Sequence, residues 1–400
     1  MPSTALPDVL ASVGAVSGSG VEAEPERVGD TQSRKTKHGK RARLPALDGV
    51  RGIAALSVVL GHASTFGFMG GVYPGMRDYG VLLFFSLSGF LMSYLYRVET
   101  PDIQNVASYA AARIVRIVPV YYAVVLASWL VYTFLDHHFV YAVTTAQLVK
   151  LLTFNGSVSI FWSIGPEFQF YAVFIFLWWL WHRPSGKVAT SVIAALLCII
   201  TWVTAGHISG VLFLSKSPVF LGGIVAAVAY DFLIRRRISI LAIAAMQVIS
   251  LAFLVLLAHP IAPLTGLLYP AWDNSDPTFS VFYCNPLRPA AAAFVVLSFA
   301  FSTRLSRLIF ANPVTRFLGE VSFSLYLLHD IVLHAFSSWG GRVLGHGWIE
   351  SLGAVLLSVA VAFVSYRLIE VTLRVRLRRP VTRILTGLLH KTEHAAPWGR

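Results

Sequence analysis

The chain has 400 residues, of which 56% are hydrophobic and only 13% charged, with a mean hydropathy of +0.68. Ordinary globular domains carry about 25% charged residues; a soluble fold could not hide this much apolar surface, and lipid must be the solvent for most of the chain. The net charge of +13 superficially fits a nucleic-acid binder, but Lys and Arg gather between apolar segments, as in a membrane protein, so nucleic acid is excluded as a partner.

Residues 1–33 are small, polar and acidic, without the basic-then-apolar order of a signal peptide, and read as a disordered tail. The run RKTKHGKRAR, Arg34 to Arg43, is a topology determinant or a patch for anionic surfaces. Residues 1–43 thus form a basic-ended cytoplasmic tail, 44–372 the membrane domain and 373–400 a second basic cytoplasmic tail. A spanning helix needs about 20 mostly apolar residues. About ten such segments are expected, near 48–68, 80–96, 114–135, 161–181, 188–205, 211–232, 238–258, 288–302, 317–337 and 349–369.

The fold class is therefore all-α, a polytopic membrane protein. Alternate connections carry the cations: Arg97, Arg113 and Arg116; Arg183 and Lys187; Arg235 to Arg237; Arg304, Arg307 and Arg316. The positive-inside rule puts these, and both termini, in the cytoplasm, consistent with a multi-pass protein of a bacterial cytoplasmic (inner) membrane. The outer connection 259–289, with Trp272, Asp273 and Asp276, is either an interfacial loop or a lid over a site. Cys198 and Cys284 suggest neither a disulfide framework nor a zinc site, and no metal is expected.

Ionisable residues inside spans are costly and point to function. Arg51 and His62 lie on the first span, eleven residues apart, hence on one face and about 16 Å apart along the axis. Histidine exchanges a proton near neutral pH and is suited to act as a general base on a hydroxyl; the alternative is a histidine satisfied between helices. In Val81 to Tyr96, the small residues Ser86, Ser88 and Gly89 suit close helix packing. Arg113 and Arg116 share a face at the expected cytoplasmic surface, fit to hold phosphate or simply to anchor the helix, and Pro119 marks a kink or a helix start. The fourth span opens FWSIGPEFQFY, with Pro166 at a first helical position and Glu167 in the first turn, and Tyr171 following. The ninth holds Glu320, Ser322, Ser324, Tyr326, His329 and Asp330, with Ser322, Tyr326 and His329 on one face.

These segments, in order, resemble the acyltransferase-3 family of bacterial integral-membrane O-acyltransferases. The resemblance covers about 48 to 370 and rests on LDGVRGIAALSVVLGH with Arg51 and His62 at an Arg-x10-His spacing, FFSLSGF (84–90), RIVR (113–116), WSIGPEFQFY (162–171), FLGG (220–223), SFSLYLLH (322–329) and YRLIE (366–370). Val371 departs from it, the family often having a proline nearby. The resemblance implies a stand-alone ten-helix enzyme without the extra periplasmic hydrolase-like domain of some relatives. It would transfer an acyl group, most often acetyl, from acyl-CoA to a hydroxyl of a carbohydrate or glycosylated acceptor. The expected roles are His62 as base, with Glu167 in the catalytic set; Arg51, Arg113 and Arg116 on the donor; and Tyr171, Ser322, Tyr326 and His329 around the acceptor or His62. Acetyl-CoA or another acyl-CoA is then a donor substrate rather than a permanently bound cofactor, and lipid is the remaining partner. The intramembrane charges also fit a transporter or flippase, although no duplicated half with paired broken helices is visible; a glycan-binding or sensing protein is a third reading.

Overall fold

The computed structural model describes residues 41–68, 75–205, 207–258, 282–283, 285–344 and 348–395. The expected tail 1–33, residues 259–281 of the outer connection and Cys284 lie outside them. Helix is the regular secondary structure of the described residues, with no strand among them. The helices are α1 (Pro45–Thr65), α2 (Met76–Tyr96), α3 (Ile103–Phe134), α4 (Thr145–Leu152), α5 (Ile164–Trp181), α6 (Gly186–Val203), α7 (Ser217–Arg235) and α8 (Ile240–Ala258), then α9 (Leu287–Ala300), α10 (Arg304–Ile309), α11 (Pro313–Leu344), α12 (Trp348–Ser365) and α13 (Thr372–Ala395). A 3-10 turn, Ser159–Ser163, leads into α5, and a π-helical stretch, Tyr366–Val371, joins α12 to α13.

Every expected span falls on a helix. Among the described residues, seven helical segments are long and apolar enough to cross a membrane. The apolar stretch of α8 and the whole of α9 are shorter, and α11 carries Arg316, Glu320, His329 and Asp330 within its length. Three details differ from the sequence expectation. α3 begins at Ile103 rather than near 114, because Asp102 caps it by accepting the Asn105 backbone N–H at 2.8 Å. Pro119 therefore sits inside a continuous helix, and Arg113 and Arg116 stand about 15 and 20 Å from its first residue, not in a surface connection. Pro166 is the third residue of α5, not the first, since the helix starts at Ile164. The third difference is α4, a short helix absent from the expected set and N-capped by Thr144.

Close backbone approach sets the core. α2 crosses α7 at Gly89 and Gly223, where an added Cβ on Gly89 would strike the Phe220 carbonyl and one on Gly223 the Ser86 carbonyl. FFSLSGF and FLGG are thus two halves of one contact, of the small-residue kind that lipid-embedded helices use. α1 lies beside α11, with Gly319 against the Asp48 backbone. This lays the Arg51–His62 face along the polar stripe of α11.

The cationic segments converge at one end of the bundle. Arg41 forks onto Asp231 through bonds of 2.7 and 2.8 Å, and Arg97 joins the same carboxylate. At the π-helical stretch, buried Glu370 accepts from Ser324 of α11 at 3.0 Å and from Arg374 of α13. The final helix packs along α3, so the YRLIE segment fastens the basic carboxy-terminal helix to the core.

Candidate active site

Two chambers lie inside the bundle along α1, separated by Tyr326 and Val81, which line both. The chamber at the Arg51 end is narrow, about 50 Å³, and is lined by Arg51, Ser88, Arg113, Arg116, Ser163, Glu167, Tyr171 and Ser322. That at the His62 end is about 310 Å³ and is lined by His62, Arg77, Asp78, Ser157, Ser159 and Trp162.

In the arginine chamber, three guanidiniums come from two helices, α1 and α3. Arg51 pairs with Asp48 one turn earlier at 3.7 Å. The Arg113 Nε is buried and makes no hydrogen bond among the described residues; its guanidinium lies 5.8 Å from the centre of the Tyr171 ring. Glu167 accepts from Ser88 at 2.8 Å and from the Tyr171 hydroxyl at 2.5 Å. Ser88 therefore belongs to the site, whereas Ser86 and Gly89 belong to the packing contact. The buried Ser322 donates to the Gly319 carbonyl of its own helix.

Tyr326 is held as a partition. Its hydroxyl is 2.7 Å from Ser163 Oγ and donates to the Ile160 carbonyl at 2.9 Å. Both partners lie in or beside the 3-10 turn, so that irregular turn fixes where the wall between the chambers stands.

On the other side of the wall, His62 Nδ1 stands 3.0 Å from Asp330 Oδ1. That oxygen has no well-aligned hydrogen bond among the described residues; such contacts in unliganded sites straighten when substrate seats. Asp330 Oδ2 accepts from Ser159 Oγ at 3.0 Å. An ionised carboxylate only accepts, so the pairing favours the proton on His62 Nδ1 and leaves Nε2 as the basic nitrogen. His329 is fully buried with its ring 5.0 Å from that of His62. Its Nδ1 meets the Leu325 and Tyr326 carbonyls at 3.1 and 2.8 Å, which assigns the proton there. Its Nε2 lies 3.4 Å from Asp330 Oδ1. Donor atoms of His62, His329 and Asp330 all fall within 4.8 Å of one another, close enough to share a cation, although no metal-ligand spacing is apparent in the sequence.

The structure thus gathers all nine expected site residues around one wall but divides them. Arg51, Arg113, Arg116, Glu167, Tyr171 and Ser322 line the arginine chamber; His62 lines the other, Tyr326 stands between, and His329 backs His62. Glu167, expected in the catalytic set, and Tyr171 and Ser322, expected around the acceptor, lie with the arginines. Asp330, Ser159, Ser163, Arg77 and Asp78 join the site without having been given roles in the sequence, and Ser88, expected only to pack helices, joins it through Glu167. Asp330 is adjacent to His329, but neighbouring residues on a helix point about 100° apart. Only the approach of α1 shows which partner it meets.

A family model described as an acyltransferase domain matches residues 44–367. The chain belongs to the acyltransferase-3 family. A protein of Staphylococcus aureus (strain COL), provisionally named an O-acetyltransferase, is 25% identical to this acyltransferase-family chain over 377 residues, covering 85% of it and 58% of the relative. The O-acetyltransferase OatA of Staphylococcus aureus (strain NCTC 8325 / PS 47) is 24% identical over 370 residues, covering 83% of the chain and 57% of OatA. The chain therefore spans less than two thirds of the length of these relatives. No solved structure matches it.

Proposed function

We propose that the protein is an integral-membrane O-acyltransferase moving an acyl group, acetyl first among the candidates, from acyl-CoA to a hydroxyl of a carbohydrate or glycosylated acceptor. The observation that carries this reading is the His62–Asp330 pair facing one chamber while three arginines line the other, with a single tyrosine side chain in the wall between. The orientation that goes with it has ten spans in a bacterial inner membrane, both termini in the cytoplasm and the Arg51 end inward. The donor then comes from inside and the acceptor from outside.

In the transfer step, the acceptor hydroxyl oxygen attacks the thioester carbonyl carbon. The C–O bond forms as the C–S bond breaks, and coenzyme A leaves as the thiol. His62 Nε2 takes the hydroxyl proton and returns it to the departing sulfur. Asp330 orients the ring and stabilises the imidazolium that forms, the role an aspartate plays beside a catalytic histidine. Arg51, Arg113 and Arg116 hold the donor's phosphates as charge-assisted donors. Glu167 holds Tyr171 and Ser88 in place around that donor. Tyr326 must swing from Ser163 and Ile160 for the thioester to reach His62, and its hydroxyl is then released to meet the developing oxyanion.

The test uses purified protein in lipid nanodiscs with acetyl-CoA, following free coenzyme A with and without a sugar acceptor. Acceptor-dependent release supports the proposal; solute flux across vesicles with no release of coenzyme A would replace it with a transporter. A charge-assisted hydrogen bond contributes about 1.5–3 kcal/mol. Arg51→Ala and Arg113→Ala are accordingly each expected to raise the KM for acetyl-CoA roughly 10- to 100-fold, with a smaller effect on the acceptor KM. An unchanged donor KM in both variants would remove the arginine chamber from donor binding.

A further inference from the structure

We infer that Asp78, with Arg77 and the hydroxyls of Ser157 and Ser159, forms a subsite in the His62 chamber that grips a vicinal diol on a single neutral sugar ring. The placement of this subsite beside the reacting hydroxyl rests on the acyl-transfer reading; the subsite itself rests on its own geometry.

Asp78 is only 4% exposed, in the first turn of α2. Its Oδ2 is buried and has no hydrogen-bond partner among the described residues. Arg77 Nε lies 3.8 Å away, near enough to offset the charge but beyond hydrogen-bond distance. A buried carboxylate oxygen left without a donor is costly. Helix-terminus chemistry does not explain it, because this oxygen accepts from no backbone N–H of the turn. A ligand hydroxyl entering the chamber would supply the missing donor.

The rest of the chamber narrows the ligand class. Its polar groups are one carboxylate, one guanidinium, two serine hydroxyls and the His62 imidazole, with Tyr326 in the wall, where the neighbouring chamber sets three guanidiniums against the single carboxylate of Glu167. The aspartate repels phosphate, and the adjacent arginine offsets its attraction for a lone cation. An uncharged polyol satisfies both: two hydroxyls donate to the carboxylate while oxygens accept from the guanidinium. Trp162 adds an aromatic surface to the lining. At about 310 Å³ the space is at the lower limit of small-molecule pockets, about 300–1,000 Å³, enough for one ring and not for a chain of them. Ser159 also binds Asp330, so the wall that would meet the sugar is the wall that positions His62's partner.

Saturation-transfer NMR on the full chain in nanodiscs tests this. The probes are the methyl glycosides of glucose, mannose and N-acetylglucosamine, and tetrahydropyran-2-methanol as a ring with one hydroxyl and no diol. At least one glycoside is expected to bind saturably, at least tenfold tighter than the single-hydroxyl ring. Asp78→Asn and Asp78→Ala are expected to weaken that binding tenfold or more. Because Asp78→Asn keeps the shape of the side chain and removes a buried carboxylate whose Oδ2 accepts no hydrogen bond among the described residues, it is expected to melt no lower than wild type. No binding by any glycoside, equal binding of the single-hydroxyl ring, or unchanged binding in both variants would overturn the subsite. Weaker binding that tracks a lower melting temperature would assign Asp78 to the fold and overturn it as well. Coenzyme A release is followed in the same samples: glycoside binding without release from acetyl-CoA keeps the subsite and removes the acyl-transfer reading, whereas acceptor-dependent release insensitive to Asp78 does the reverse.

Discussion

His62→Ala is expected to lower acyl transfer about 1,000-fold, within the 10²–10⁴-fold range of a positioned general base. Asp330→Asn keeps the shape of the partner but no longer stabilises an imidazolium, and an expected loss of about 100-fold follows from that same range. The double variant is expected to be little worse than His62→Ala, because groups that act as a unit lose their effect together. The loss belongs in kcat, with the donor KM little changed, since the arginine chamber is separate from His62. Full transfer activity in correctly inserted His62→Ala would end this assignment.

The same kinetics decide between a base and a metal ligand, because His62, His329 and Asp330 are close enough to share a cation. If His62 works as the base, activity survives chelation and His329→Gln is milder than His62→Ala. If the three hold a divalent ion, chelation abolishes turnover, zinc restores it, and His329→Gln costs as much as His62→Ala. The hydrogen bonds of His329 Nδ1 to its own helix carbonyls are compatible with either, since a buried histidine and a metal-bound one both anchor the far nitrogen this way.

What could be read in the sequence followed from periodicity and cost. Apolar length placed a helix at every expected segment, and among the described residues seven helical segments are long and apolar enough to cross a membrane, where lipid leaves the backbone no other way to be satisfied. The expense of intramembrane charge singled out Arg51, His62 and the α11 stripe, of which Arg51, His62, Ser322, Tyr326 and His329 line or back the chambers, whereas Ser324 binds Glu370 and Glu320 lies beside Arg43. Contacts between helices were hidden. Nothing in the spacing shows that Ser88 reaches Glu167, 79 residues later, or that Ser159 reaches Asp330, 171 residues later. Asp78 was hidden for another reason: next to Arg77 at a helix start, it looks like an ordinary surface pair, and only its burial sets it apart. The start of α3 was misplaced because residues 103–113 are less apolar than a span. α3 packs against the final helix, and helical pairing of that kind needs no run of hydrophobic residues.

The two glycines of FLGG give the second large effect, and they separate packing from function within one motif. A Cβ on Gly223 would collide with the Ser86 carbonyl and come within 2.8 Å of the Phe90 backbone nitrogen. Both obstacles are backbone, which cannot rotate away, so α2 and α7 must move apart. Gly223→Val is therefore expected to cost about 3 kcal/mol, the upper range for overpacking a tight contact, read as a lower melting temperature in detergent or nanodiscs. Activity falls with it, because α2 carries Asp78 into one chamber and Ser88 into the other. Gly222 faces the other way: a Cβ there would meet Pro289 and Ala293 no closer than 3.4 Å, ordinary contact distance. Gly222→Ala is accordingly tolerated, and the gain in helix propensity, up to about 1 kcal/mol, makes it neutral or slightly stabilising. Loss of stability in Gly222→Ala equal to that in Gly223→Val would contradict the α2–α7 geometry. Loss of activity in Gly222→Ala at full stability would give the motif a role in the reaction that its position outside both chambers does not supply.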